Sequence, residues 1–224
     1  MIDDKKLLLI HGYGQSYLKS LLGRFGLNIT LKSYSFKAFR QLIEKGNAKV
    51  FVWHHEIESE IFQYFNPFYV YKNLYITEKE KSVSTDIQKQ LTFELQSQKP
   101  EIIVCHSLGC YLLLNYLDKY NLPASVKKIF LVQGDFSTNY SLTNPDLIKK
   151  LENKELEIIN CYCPWDPILH ISKLTSVSYR PAGVYGFKNE LVTNKLFPLY
   201  KAINLHNSSI EDKNLVKFIN ASMQ

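Results

Sequence analysis

No uninterrupted apolar run in this sequence reaches the roughly 18 residues that a membrane-spanning helix needs. Nor does Met1 lead into a secretory leader: Ile2-Asp3-Asp4-Lys5-Lys6 is too polar for its apolar stretch. The expectation is a soluble, cytoplasmic protein. A long basic stripe is also missing. The net charge is +6, but lysines are scattered among glutamates and aspartates. The densest groups, Lys127-Lys128 and Lys149-Lys150, are short, so no nucleic-acid partner is expected. The four cysteines form no C-x-x-C pair and no Cys/His ligand spacing. That argues against a metal or redox centre, and no cofactor is expected. Buried thiols in a reducing compartment fit better. No internal repeat, low-complexity tract or composition shift marks a boundary, so residues 1–224 read as one domain.

What is present is a set of short β-branched or leucine-rich runs, each followed by a turn. Leu7-Leu8-Leu9-Ile10 ends in His11-Gly12-Tyr13-Gly14. Ser16 to Phe25 is predicted as a short helix, and residues 28–35 as a strand. Phe36 to Lys45 reads as a helix stopped by Gly46, and Lys49 to Trp53 as a strand. Thr85-Asp86 is expected to cap a helix to about Gln98, with Ile87, Leu91 and Leu95 at four-residue spacing. Ile102-Ile103-Val104 and Ile129-Phe130-Leu131-Val132 are strands buried on both faces. Asn144-Pro145 opens a helix through Leu151. Leu156 to Cys163 is a strand, and Ala202 to Leu205 is expected to be the last one. Residues 209–222 close the chain as a helix. Strands alternating with helices imply a parallel sheet covered on both faces. Sites in such sheets form at the carboxyl ends of the strands.

The stretch Cys105-His106-Ser107-Leu108-Gly109-Cys110 lies between a buried strand and an apolar helix predicted over Leu108–Tyr120. A serine on such a sharp turn is pushed out of the sheet, at the positive end of a helix. Strand and helix approach closely there, so the residues two before and two after it must be small. Gly109 meets this condition, and Cys105 stands where glycine is usual. The plainer reading is a buried turn with a helix-capping serine. Asp166, in Trp165-Asp166-Pro167-Ile168, and His206, in Leu205-His206-Asn207, also follow predicted strands. Asp135 follows one as well. His170 is the second choice for a base. His106 reads as a filler of the turn, His11 as a structural residue, and the adjacent His54 and His55 suit neither metal ligation nor catalysis.

Taken together, the motifs around His11-Gly12, Ser107, Asp166 and His206 resemble the α/β-hydrolase superfamily, in the chain order nucleophile, acid, histidine. They span almost the whole chain. In size, and in the form His-Ser-Leu-Gly-Cys, the sequence is similar to small, nearly lidless serine hydrolases related to retinoblastoma-binding protein nine, and to compact bacterial lipases. The resemblance implies a three-layer α/β fold with a mostly parallel central sheet and helices on both faces. It implies a serine hydrolase acting on an ester or thioester. Ser107 would be the nucleophile and His206 the base, because an imidazole titrates near neutrality. Asp166 would orient the imidazole. Asp166 is preferred to Asp135 for its Asp-Pro-Ile pattern and the strand ending beside it, although some members carry their acid at the earlier strand. The oxyanion donors would be the backbone N–H groups of Tyr13 and Leu108.

Residues 54–81 hold Phe62, Tyr64, Phe65, Phe68, Tyr69, Tyr71 and Tyr75. This segment reads as a short helix near Glu58–Phe65 and an extended piece near Tyr69–Thr77. One reading makes it a cap over an apolar pocket, with Phe65 and Tyr69 touching substrate; the other packs it on the core. The expected partner is a small-molecule or acyl-carrier-linked ester. An acyltransferase on the same triad and a non-catalytic binding protein on the same scaffold are the alternatives.

Overall fold

The computed structural model of the chain describes residues 2–12, 36–53, 67–173, 178–197, 206 and 210–222. Six short strands carry the fold: β1 (Leu7–Ile10), β2 (Ala48–Phe51), β3 (Ile102–His106), β4 (Lys128–Val132), β5 (Glu157–Tyr162) and β6 (Val192–Leu196). They form one sheet in the order β2-β1-β3-β4-β5-β6, and every pairing is parallel. Parallel neighbours need a crossover between them, and the crossover helices cover both faces of the sheet.

The alternation of side chains along each strand divides the core in two. Leu8, Ile10, Ile103, Cys105, Ile129 and Leu131 point to one face. There they meet α3 (Thr85–Gln98), α4 (Leu108–Leu117) and α5 (Pro145–Glu152), through residues such as Leu91, Leu112 and Leu147. Leu7, Leu9, Ile102, Val104, Phe130 and Val132 point to the other. They pack on Phe39 and Leu42, at the 3-10 turn Lys37–Phe39 and in α1 (Arg40–Glu44), and on Leu215 and Ile219 of α8 (Lys213–Ala221). A strand with a core on each side must be apolar at every position, which is why these runs are continuous instead of alternating. The three-layer arrangement expected from the sequence is therefore present.

Several boundaries differ from the sequence reading. The Tyr69–Thr77 stretch is not extended; it lies within helix α2 (Pro67–Ser82). Its aromatic content favours a strand, but Pro67 sits at the first helical position and Glu78-Lys79-Glu80-Lys81 supplies straight-chain helix formers. Tyr75, Glu78 and Ser82 are buried at helical spacing, and the helix docks on α4. Helix α3 begins after Ser84, so Ser84 is its N-cap and Asp86 lies in its first turn. Helix α4 stops at Leu117 instead of Tyr120. Strand β6 was not predicted. Its exposed edge leaves only Val192 buried within the strand, too weak a pattern to read from the sequence. The predicted helix at 16–25, the strand at 28–35, the helix at 58–65 and the strand at 202–205 lie outside the described residues. Among those described, no helix is long and apolar enough to cross a membrane.

Two further helices sit at the carboxyl edge, α6 (Pro167–Ser172) and α7 (Ala182–Tyr185). Asn160, buried in the middle of β5, donates to the Ala182 carbonyl at 3.1 Å and to Asn194 Oδ1 at 2.9 Å. That buried amide ties α7 and β6 to the strand leading to Asp166.

Candidate active site

Ser107 occupies the turn between β3 and α4 with φ 53° and ψ −124°. A positive φ is costly for a residue with a Cβ, and such strain gathers at functional positions. It is held from both sides. The Ser107 N–H donates to the Val132 carbonyl at 3.1 Å, and its carbonyl accepts from Cys110 and Asp135 N–H. The close approach expected around the turn is seen in what surrounds its glycines. A Cβ on Gly109 would lie 2.6 Å from the His11 carbonyl oxygen. One on Gly12 would lie 2.7 Å from both the His106 carbonyl oxygen and Ser107 Cβ. Cys105 is buried as a small apolar group of the helix-facing core.

His206 Nε2 lies 2.8 Å from Ser107 Oγ, and its Nδ1 lies 2.7 Å from Asp166 Oδ2. The two contacts fix the tautomer. Nδ1–H donates to the carboxylate, and Nε2 accepts from the serine hydroxyl. All three side chains are buried. Asp166 is also the N-cap of α6, where its Oδ1 accepts from the N–H groups of Ile168 and Leu169 at 3.0 and 3.2 Å. Gln133 Nε2 donates to Asp166 Oδ2 at 2.5 Å. The sequence reading missed Gln133, although its place directly after a buried strand is the signal that singled out the other site residues.

The competing residues are elsewhere. Asp135 accepts from Tyr179 OH at 2.6 Å and Ser172 Oγ at 3.1 Å. Burial raises its carboxyl above the ordinary range, partly offset by the Tyr179 hydrogen bond, Lys79 and His206. Lys79 of α2 stands 4.8 Å from the ring centroids of both Tyr111 and Tyr179, and 5.7 Å from that of Tyr75. His170 is exposed, and its ring pairs with the Pro164 carbonyl at 2.8 Å. His106 donates from Nε2 to the His206 carbonyl at 2.8 Å. Burial, and secondly the neighbouring His206, hold it well below the usual imidazole range. It is thus a neutral support beneath His206. His11 pairs through Nδ1 with the Gly12 carbonyl, and its own carbonyl accepts from Trp53 Nε1 at 2.7 Å, a structural setting.

Leu108 opens α4, where a backbone N–H has no acceptor within the helix. Tyr13 and Phe65 lie outside the described residues, as do His54 and His55. Tyr69 lies in α2, on a turn whose side chains are not described. The cysteines form no disulfide among the described residues, and burial pushes the Cys161 thiol up to about 12. Among the described residues there is also no group of three His, Cys, Asp or Glu side chains suited to a metal ion.

The model of the serine hydrolase family matches residues 72–162, from α2 through the serine turn to the end of β5. Similar solved structures include a lipase-esterase related protein from Clostridium acetobutylicum ATCC 824, at 15% identity and a TM-score of 0.46, covering 98% of this chain and 95% of that one. Another is MenH from S. aureus, at 11% identity and a TM-score of 0.41, covering 97% and 92%. A comparison with curated proteins found no significant match.

Proposed function

We propose that this serine hydrolase, built on the α/β-hydrolase fold, cleaves a carboxylic ester or thioester through an acyl-serine intermediate. The observation that carries the reading is the unbroken hydrogen-bonded chain from Ser107 Oγ through both ring nitrogens of His206 to Asp166 Oδ2. In the first step Ser107 Oγ attacks the acyl carbon while its proton passes to His206 Nε2. The carbonyl oxygen becomes an oxyanion, and Asp166 faces the imidazolium so formed. The Leu108 N–H, and that of Tyr13, would donate to this oxygen; losing one such donor typically costs about 3 kcal/mol of transition-state stabilisation. Breaking the carbon–oxygen or carbon–sulfur bond expels the alkoxide or thiolate, which takes the proton from Nε2. Water then repeats the sequence on the acyl-serine, His206 accepting its proton and returning it to Ser107 Oγ.

The substrate we assign is a small ester or acyl-carrier-linked thioester with an apolar part, bound in part by Phe65 and Tyr69. The testing experiment is labelling with a fluorophosphonate, peptide mapping of the adduct, and turnover of p-nitrophenyl esters. A phosphonylated Ser107 peptide, absent from Ser107→Ala, is expected. Labelling elsewhere, or turnover by Ser107→Ala at the parent rate, would overturn the mechanism. Product analysis with an added alcohol or amine separates hydrolysis from acyl transfer.

A further inference from the structure

We infer that Gln133 is a positioning residue of this site: its side-chain amide holds the Asp166 carboxylate so that one oxygen faces the His206 ring. The inference rests on the acyl-serine reading and deepens it. Four donors converge on Asp166. Its Oδ1 is taken by the first turn of α6, through the N–H groups of Ile168 and Leu169. Its Oδ2 takes His206 Nδ1 at 2.7 Å and Gln133 Nε2 at 2.5 Å. Without Gln133 the second oxygen would be held by the imidazole alone, the group it has to orient. Asp166 and Gln133 are both 0% exposed, so bulk water is not at hand as a substitute donor. A carboxylate only accepts, so the amide must present its NH2 group to it and not its oxygen.

The backbone is arranged to deliver that amide. Gln133 has φ 45°, a conformation that glycine takes freely and glutamine does not. Its N–H donates to the Cys161 carbonyl at 2.9 Å. Two residues on, the Asp135 N–H donates to the Ser107 carbonyl at 3.1 Å, and the Gly134 carbonyl accepts from Gly183 N–H. A Cβ on Gly183 would lie 2.4 Å from the Gln133 carbonyl carbon, so the neighbouring chain leaves this turn no room to move. One short turn therefore touches the backbone of Ser107 and the side chain of Asp166. It couples nucleophile and acid across the sheet edge. In catalysis Gln133 donates no proton to the reaction. It shares the charge on Oδ2 and fixes the direction of the Nδ1–H bond.

The test compares Gln133→Leu, Gln133→Gly and the isosteric Gln133→Glu with the parent, on one p-nitrophenyl ester from pH 5 to 9. Gln133→Leu is expected to lower kcat about 10- to 100-fold, the size of a lost hydrogen bond to a charged group. KM should stay within about twofold, because the amide does not touch substrate. The ionisation in kcat/KM should move upward, because Oδ2 then keeps its full charge for the imidazole. His106 and Asp135 also face His206 and are unchanged in the variant, so they do not produce the shift.

Gln133→Gly relieves the positive φ, so its kcat should fall as far as that of Gln133→Leu while its thermal midpoint stays higher. A residue that only supports the fold would give the reverse, with kcat following stability. In Gln133→Glu the acid form donates to Asp166 and the ionised form repels it, so the rising pH profile should become a bell. That readout also stands if the leucine variant fails to fold. Parent-like kcat and pH profile in these variants, with Ser107 labelled by fluorophosphonate in the parent, would overturn the inference alone. Absence of label on Ser107 in the parent would overturn the acyl-serine reading, and Gln133's role with it.

Discussion

Ser107 and the groups around it answer to different substitutions in different ways. Ser107→Ala should remove essentially all turnover and leave the circular dichroism spectrum unchanged, since only a hydroxyl is lost. His206→Ala should do the same, whereas His170→Ala should not, its ring being tied to Pro164 at an exposed position. In the parent, kcat/KM should rise with pH, because only the neutral imidazole accepts the serine proton. Asp166→Asn should cost about 10⁴ in kcat, the size seen when an amide imposes the wrong tautomer on the base. Asp135→Asn should cost far less, and steady-state kinetics on the two variants checks the ranking. The same substitution should raise the thermal midpoint at pH 7. A carboxyl whose folded-state value is raised by burial stabilises the fold below its unfolded value and loses that contribution as pH rises through the folded one. The buried charge is therefore unfavourable at neutrality, and asparagine removes it while keeping an acceptor for Tyr179. His106 works with the opposite sign. Its folded-state value is depressed, so below about pH 6.5 the unfolded chain takes up a proton that the folded chain does not. Urea midpoints should fall from pH 7 to 5, and His106→Gln, which keeps a donor for the His206 carbonyl, should flatten that fall.

At the level of elements, β1, β3 and α4 meet in a tight junction at the carboxyl edge of the sheet. Gly109 puts the first turn of α4 against the carbonyls of Ile10 and His11, and Gly12 puts the end of β1 against Ser107. Gly109→Ala forces backbone apart, because the atoms it meets are carbonyl oxygens and not the ends of flexible side chains. A loss of about 1–3 kcal/mol is expected, the usual cost of overpacking. A drop in kcat larger than any change in KM should accompany it, because the shift is felt at Ser107. Chemical denaturation and steady-state kinetics on the same preparation measure both. Helix α2 shows how tertiary packing overrides the local preference of the aromatic stretch. Tyrosines favour a strand when only the local sequence speaks, but the docking face against α4, with Tyr75, Glu78 and Ser82 inward, has a helical period. Helix α5, by contrast, carries its start signal in the sequence. Asn144 accepts from the N–H groups of Asp146 and Leu147, and Pro145 occupies the first position.

At the scale of the whole molecule, the proposed apolar substrate is tested through the aromatic residues of segment 54–81. The aromatic segment leads into α2, a helix packed on α4, which opens directly after Ser107. If its rings line the acyl site, each buried methylene adds about 0.8 kcal/mol, close to fourfold in kcat/KM while the pocket lasts. The rate should therefore climb from acetate through butyrate to hexanoate and octanoate esters, and Phe65→Ala and Tyr69→Ala should flatten the climb. A flat series in the parent would put these rings in the core instead. The sequence by itself determined five of the six described strands, the parallel sheet with two covered faces, and the strand–serine–helix turn. Those depend on hydrophobic period and turn chemistry, which act over a few residues. It also brought forward Ser107, Asp166 and His206, because each follows an expected strand. Only the tertiary structure decided that Asp166 and not Asp135 meets the imidazole, that β6 joins the sheet, that Tyr69–Thr77 is helical, and that Gln133 reaches the acid. Those outcomes rest on contacts between residues 33 to 99 positions apart, or on surfaces supplied by another element. A contact of that reach is fixed by how two turns pack side by side, and no local pattern encodes the distance between them.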